Sequence, residues 1–310
     1  MSRRNQILTK DDVSLTDLMN QTFGVVDAFN DSEHIFRGLV GQDVDEDRFT
    51  SVAGDMKWDE LAELEPSENS DLDESVMAIR VKEYGKSLAM SPAYIEDSTE
   101  QSVMQRVQKM LRGALDKENE VIFESLKAGV ADGSGVWYDI PNYGNYSFDD
   151  NHSHTFADTN ALFGDAEAHS ATRHVRMASM DLRHHGKRPG VVICSSEFAM
   201  SFVDELAYDA GYHIPDAGGL RESDLQEATM KIDGASVVQT PYLTGNTFYV
   251  VSDEQPVYVH EKRPVTISQD SNGTPVANPA DMMGAYGTAR YGARLADPLA
   301  AVEVTADNLA

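Results

Sequence analysis

From Ser98 to Ala128 apolar residues return every three or four positions, at Val103, Val107, Met110, Leu111, Ala114, Leu115, Val121, Ile122 and Leu126, with one looser step around Glu118. That spacing gathers them on one face of a helix. Ser98 followed by Gln101 matches a capping box, in which each end satisfies the other's free amide, and Gly129 is a suitable stop. About 30 residues at 1.5 Å each make a rod of roughly 45 Å, well above the average helix length in globular domains.

The segments before this helix do not read as a domain of their own. Residues 1–48 are polar and acidic, with grouped apolar residues at Leu15, Leu18, Met19, Phe23, Val25, Val26, Phe29, Ile35, Phe36, Leu39 and Val40. Short amphipathic pieces that pack on something else fit this pattern. Pro66-Ser67-Glu68-Asn69-Ser70-Asp71 is a turn cluster. Ser75 to Tyr84 partly alternates, as a strand does; Gly85-Lys86 breaks it, and Ser87 to Pro92 resumes in extended form. The whole, Arg48 to Ser91, reads as a long hairpin with an acidic tip and too few apolar residues for an independent core.

After the helix, residues 129–171 are loop-rich. A helix is predicted near Ala171 to His184, a turn at Lys187-Arg188-Pro189-Gly190, a buried strand at Val191 to Cys194, and a helix from Ser196 to Tyr208. Ala235 to Val238 and Thr247 to Val251 read as strands around a turn at Gly245-Asn246. Val257 to His260 and Val265 to Ile267 follow, and Met282 to Val304 should be extended. There is no internal repeat and no low-complexity tract.

Charge narrows the partners. The 310 residues carry 52 acids against 25 lysines and arginines, a net charge of −27. A strongly basic nucleic-acid binder is excluded for the chain as a whole, because phosphate binding needs cations. So many like charges strain a compact state in dilute buffer, whereas at about 1 M ionic strength the Debye length falls to roughly 3 Å. Lysine, the more strongly hydrated base, is scarcer than arginine, 10 against 15. The composition therefore points to a molar-salt cytoplasm, with an ordinary acidic protein as the alternative. Cys194 is the sole cysteine, which excludes a disulfide scaffold. No run of about 18 apolar residues could span a bilayer, and Met1 to Lys10 lack the apolar core of a secretory signal.

Candidate chemistry is sparse. His152, His154, His169, His174, His184 and His185 cluster mildly, but a zinc site needs three or four ligands at fixed geometry, and exposed loop histidines are the expected reading. Cys194 lies in an apolar run, as buried core rather than a nucleophile in an electropositive, open site. Gly129, Gly133 and Gly135 are not followed by the Gly-Lys-Ser/Thr of a phosphate loop. Asp270-Ser271-Asn272-Gly273 is too short for a calcium loop and lacks its final Glu; a hairpin turn is expected there. The expectation is therefore no catalytic, cofactor or metal site, which leans toward a structural or binding role.

The order of elements is more specific than any single motif. An acidic arm leads to an extended hairpin, which returns through Val81-Lys82-Glu83-Tyr84-Gly85-Lys86-Ser87-Leu88-Ala89-Met90-Ser91. Tyr94-Ile95-Glu96-Asp97-Ser98 and the long helix follow, and near the end stands Gly284-Ala285-Tyr286-Gly287-Thr288-Ala289-Arg290-Tyr291-Gly292-Ala293-Arg294-Leu295-Ala296-Asp297-Pro298. Gly234 to Val238 runs on to Pro241-Tyr242-Leu243. This layout resembles the major capsid proteins of tailed viruses, of the Hong-Kong-97-type fold, over most of residues 45–305. The resemblance implies an α+β fold with an N-terminal arm at 1–47, an E-loop at 48–93 and a P domain at 94–188 with its spine helix at 98–128. An A domain at 189–262 and a C-terminal return to the P domain at 263–310 complete it. It also implies a non-enzymatic shell protein, located in the virion and assembled in the host cytoplasm, that forms hexamers and pentamers of an icosahedral shell around double-stranded DNA; combined with the acidic composition, it points to a tailed virus of a halophilic host. Arm and hairpin should each lie across a neighbouring subunit, with scaffold, portal and decoration proteins as further partners and no membrane. The short arm leaves little room for a cleaved scaffolding segment. Lys86 lies in the loop where some relatives cross-link subunits, but no matching Asn with a nearby Glu stands out. Arg3 and Arg4 could touch phosphate, although a solvated terminus is the plainer reading. An encapsulin-like nanocompartment shell is the alternative of the same fold, and a metal-dependent cytoplasmic hydrolase using the histidine cluster the alternative of another class.

Overall fold

The computed structural model describes residues 8–32, 34–53, 73–131, 155–157, 170–184, 186–208, 231–269 and 283–306. In chain order the elements are α1 (Leu15–Asn30), α2 (Ile35–Val40), β1 (Gly41–Asp43), β2 (Arg48–Ala53), β3 (Asp73–Ala78), β4 (Lys82–Met90), α3 (Pro92–Glu96), α4 (Glu100–Ala131), β5 (Thr155–Ala157), α5 (Ala171–His184), β6 (Pro189–Cys194), α6 (Ser196–Tyr208), β7 (Lys231–Ile232), β8 (Ala235–Gln239), β9 (Thr247–Ser252), β10 (Val257–Gln269), β11 (Met283–Leu295) and β12 (Ala301–Thr305). The strands form a four-stranded sheet in the order β1-β10-β11-β4, a six-stranded sheet in the order β5-β12-β9-β6-β8-β7, and the separate pair β2-β3.

Strand periodicity explains how the six-stranded sheet is covered. Successive side chains point to opposite faces, and both faces here are apolar. Val192 and Cys194 of β6 join Phe248 and Val250 of β9 on the face under α5 and α6, against Val175, Leu182, Phe198 and Phe202. Val191 and Ile193 join Tyr249 and Val251 on the other face, against Ile122, Phe123, Leu126 and Val130 from the second half of α4. The first half of α4 meets the other sheet and the N-terminal helix: Val107 and Leu111 pack with Val26 and Ile267, and Val103 with Leu18 and Ile95. One 32-residue helix thus spans both sheets.

Several local expectations shift. The residue before α4 is Thr99, whose hydroxyl accepts from the Ser102 amide at 3.4 Å, rather than a Ser98–Gln101 box; Ser98 is buried, and its carbonyl accepts from the Lys10 amide. Gly129 does not stop the helix, which runs on to Ala131. Its role is closeness: a Cβ there would lie 2.5 Å from Leu295 Cδ2 and 2.6 Å from Leu295 Cβ. Leu295 is fully buried and its Cβ cannot swing away. Gly129→Ala is therefore expected to cost about 1–3 kcal/mol by overpacking, read as a lower urea midpoint with an unchanged slope.

Gly85 and Lys86 do not interrupt their strand. They pair with Thr288 and Gly287 inside β4, and the break falls earlier, at Ile79–Val81. The strands around Gly245-Asn246 do not form a hairpin with each other, because β6 lies between them, parallel to β8 and antiparallel to β9. The turn expected at Lys187–Gly190 gives way to β6 at Pro189. The two predicted strands at 257–260 and 265–267 are one strand, β10, with register shifts between Glu261 and Thr266. The N-terminal helices pack on the chain's own α4 and β10, where the expectation was a neighbouring subunit. Ser14 caps α1 by accepting from the Asp17 amide.

Candidate assembly surfaces

The looser step of α4 falls on a buried carboxylate. Glu118 is buried, with 7% of its surface exposed. A lone buried charge is costly, and α2 brings it partners. The His34 ring donates from Nδ1 to Glu118 Oε2 at 2.7 Å, the only sense possible against an ionised carboxylate. Arg37 donates from Nη1 to Glu118 at 3.0 Å and to Glu261 at 2.6 Å, and from Nε to Asp43 at 2.7 Å. One guanidinium therefore joins α2, β1, α4 and β10. Burial pushes the Glu118 carboxyl up, but the bond from His34 and the charges of His34 and Arg37 outweigh it, and its pKa is lowered. The bond to Glu118 raises His34 above the ordinary imidazole value against the opposing effect of burial. The cluster borders a cleft of about 450 Å³ beside Arg263 and Tyr291. It works as an internal clasp between the N-terminal segment and the long helix. The irregular period at Glu118 was the sequence signal for it; His34 and Arg37 carried none.

The second feature is the β2–β3 ribbon. Its strands pair antiparallel from Arg48–Ala78 to Ala53–Asp73, and among the described residues they pair with no other strand. Its root is held to the four-stranded sheet. The Ile79 amide donates to the Asp47 carbonyl at 2.8 Å, Arg294 donates to the Ala78 carbonyl at 2.8 Å, and the Phe49 ring meets Tyr258 edge-on at 4.7 Å. Gly292 lets Arg80 approach, since a Cβ there would lie 2.6 Å from its carbonyl oxygen. An isolated two-stranded ribbon is marginal in water. Only part of Arg48–Ser91 behaves in this way, because β4 belongs to the chain's own sheet.

Among the described residues, those singled out for chemistry are not brought together. His174 is buried, with its ring nitrogen 3.0 Å from the Ser170 carbonyl. His152, His154, His169 and His185 lie outside the described residues, as do the side chain of His184, Gly133, Gly135, Asp270 to Gly273, and Arg3 and Arg4. Among the described residues no three metal-ligating side chains gather, and no helix is long and apolar enough to cross a membrane. Cys194 is fully buried, and burial pushes its thiol up to about 12, so it is core. Lys86 is exposed on β4.

A family model described as phage capsid protein matches residues 74–304. No curated protein matches the chain in sequence. The fold is similar to that of a structure from Mycobacterium phage Patience, 14% identical with a TM-score of 0.56, over 96% of this chain and 90% of that one. It is similar to the capsid structure of the cyanophage P-SCSP1u, 11% identical with a TM-score of 0.58, over 87% of each chain. A virus-like particle from Pyrococcus furiosus is 9% identical with a TM-score of 0.51, over 92% of this chain and 98% of that one.

Proposed function

The chain belongs to the phage capsid protein family, and from that premise we propose how a structural major capsid protein of this composition builds its shell. Copies form hexamers and pentamers of an icosahedral particle that encloses double-stranded DNA, assembled in the host cytoplasm. The chain's part is mechanical, with no catalytic role. In the proposed division residues 1–47 form the arm and 48–93 the E-loop, whose projecting part is the β2–β3 ribbon. Residues 94–188 form the P domain around α4, 189–262 the A domain, and 263–310 the return. Scaffold, portal and decoration proteins are expected beside it.

The observation that carries this reading is the ribbon, which among the described residues pairs with no other strand and whose base is tied to the body through Arg294. A second copy supplies the surface it lacks, and repetition of that contact closes a shell. Obligate interfaces of this kind bury about 2,000–5,000 Å². The −27 charge makes the wall a poor binder of DNA, as a container for packed DNA requires. The family match favours this reading over a nanocompartment that carries protein cargo.

Electron microscopy of the chain purified in about 2 M salt, where charge repulsion is screened, tests it. Closed particles that package DNA support it, and particles filled with protein cargo support the nanocompartment. Because −27 per copy repeats across every contact, dialysis into dilute buffer is expected to dissociate the particles; shells intact at about 10 mM salt, where the Debye length is about 30 Å, contradict that part.

A further inference from the structure

We propose that the exposed face of α5 is the patch through which each copy touches the phosphate backbone of the enclosed DNA. The proposal rests on the shell reading and names a contact within it. The 18 positions from Ala171 to Arg188 hold Arg173, Arg176, Arg183, Lys187 and Arg188, five of the chain's 25 cationic residues, against Asp181 alone among its 52 acids. The whole chain has a net charge of −27, so this stretch runs against its character.

Helix geometry sorts these residues. Val175, Ala178 and Leu182 pack into the core on the six-stranded sheet, and Asp181 is buried at 9% exposure. Arg173, Arg176, Met180 and Arg183 are exposed. Spaced three or four apart, they fall on one face, over about 15 Å at 1.5 Å per residue. No carboxylate of α5 shares that face. Arg183 pairs with Asp233 at 2.8 Å, and Lys187 is held by Glu254 and Asp297 at 2.7 Å each. Arg173 and Arg176 make no ion pair among the described residues.

Charge and donor shape identify the occupant. Every cation on the stripe is arginine, whose planar fork matches phosphate with two parallel hydrogen bonds, as the ammonium of lysine cannot. Duplex DNA carries one phosphate charge per about 1.7 Å of its axis, so a stripe of this length faces several phosphates at once. Two unpaired arginines give a salt slope of about −1.8, at −0.9 per phosphate contact. That is a weak grip for one copy, so the acidic wall as a whole stays a poor binder. Repetition around the shell and the high local concentration of packed DNA sustain the contact.

Met180, 52% exposed in the middle of the stripe, supplies a built-in probe. DNA-carrying and empty particles of the wild-type chain are separated by buoyant density and treated with dilute hydrogen peroxide, which turns accessible methionine into its sulfoxide. Peptide mass spectrometry should show Met180 oxidised at least fivefold more slowly in the DNA-carrying particles. Equal, fast oxidation in both overturns the proposal. Slow oxidation in both also overturns it, because a protein surface then covers the stripe, as an acidic segment of another copy would. Both results leave the shell reading intact; failure to obtain DNA-carrying particles removes the shell reading itself. An Arg173→Gln, Arg176→Gln chain gives a second readout. It should fold, close shells in wild-type yield, and oxidise Met180 at least threefold faster than wild type in DNA-carrying particles. A fall in shell yield would assign the stripe to a contact between copies and overturn the proposal.

Discussion

Glu118→Ala is expected to lower the unfolding free energy by about 1–3 kcal/mol, the cost of leaving buried donors without their partner, since Arg37 keeps its pairs with Asp43 and Glu261. The substitution leaves His34 and Arg37 facing each other across the emptied position; side-chain exposures are 13% for His34 and 16% for Arg37. Urea unfolding of the dissociated chain reads the loss directly. The pH dependence carries the sign of each shift. Glu118 is depressed in the fold, so its contribution is present above the ordinary carboxylate range and disappears as pH falls through its lowered value. His34 is raised, so its contribution is complete below about pH 6.5, the ordinary imidazole value, and disappears as pH rises through the higher folded value. The clasp is therefore strongest in mildly acidic solution, between the two ordinary values. The variant should lose stability most in that window and show a flatter pH profile at both ends. An unchanged profile would mean that the cluster is not a coupled unit.

Replacing residues 49–77 by a short glycine-serine connection should abolish particle formation while leaving the body folded. The ribbon touches the body at its root, through Phe49, Ile79 and Arg294, and the large buried clusters lie elsewhere, around α4, α5 and α6. Loss of the ribbon should therefore change thermal unfolding little and remove assembly wholly, as read by sedimentation in high salt. Wild-type yields of particles from the shortened chain would show that the ribbon is not the assembly contact.

Which parts of this fold were readable depended on whether the determining contacts are local. α5 and α6 fall where the sequence predicts helices, because their determinants act within a few positions: Ser195, just before α6, accepts from the Phe198 amide at 3.0 Å. Long-range pairings were not readable. Nothing near Ala235–Gln239 or Thr247–Ser252 announces that β6, some 40 residues earlier, inserts between them. Gly85 and Lys86 read as a break on local propensity, yet pairing with β11 carries the strand through them. Gly129 read as a helix stop, and the stronger constraint is Leu295, 166 positions away. The ionic cluster showed itself only as an irregular step at Glu118, since the residues that answer that charge, His34 and Arg37, come from α2 and its N-cap position, far earlier in the chain, and Glu261, which shares Arg37 with it, comes from β10. The hairpin's shortage of apolar residues was visible, but not its division into a projecting ribbon and a strand, β4, that stays at home.

The most direct test of the account is single-particle imaging of the chain assembled in high salt, at a resolution that traces residues 48–78 from their root beside Arg294. The account predicts closed shells with five- and six-fold capsomers in which each ribbon crosses onto the adjacent copy. A ribbon folded against its own subunit within such shells, or only folded monomers under every assembly condition, would contradict it.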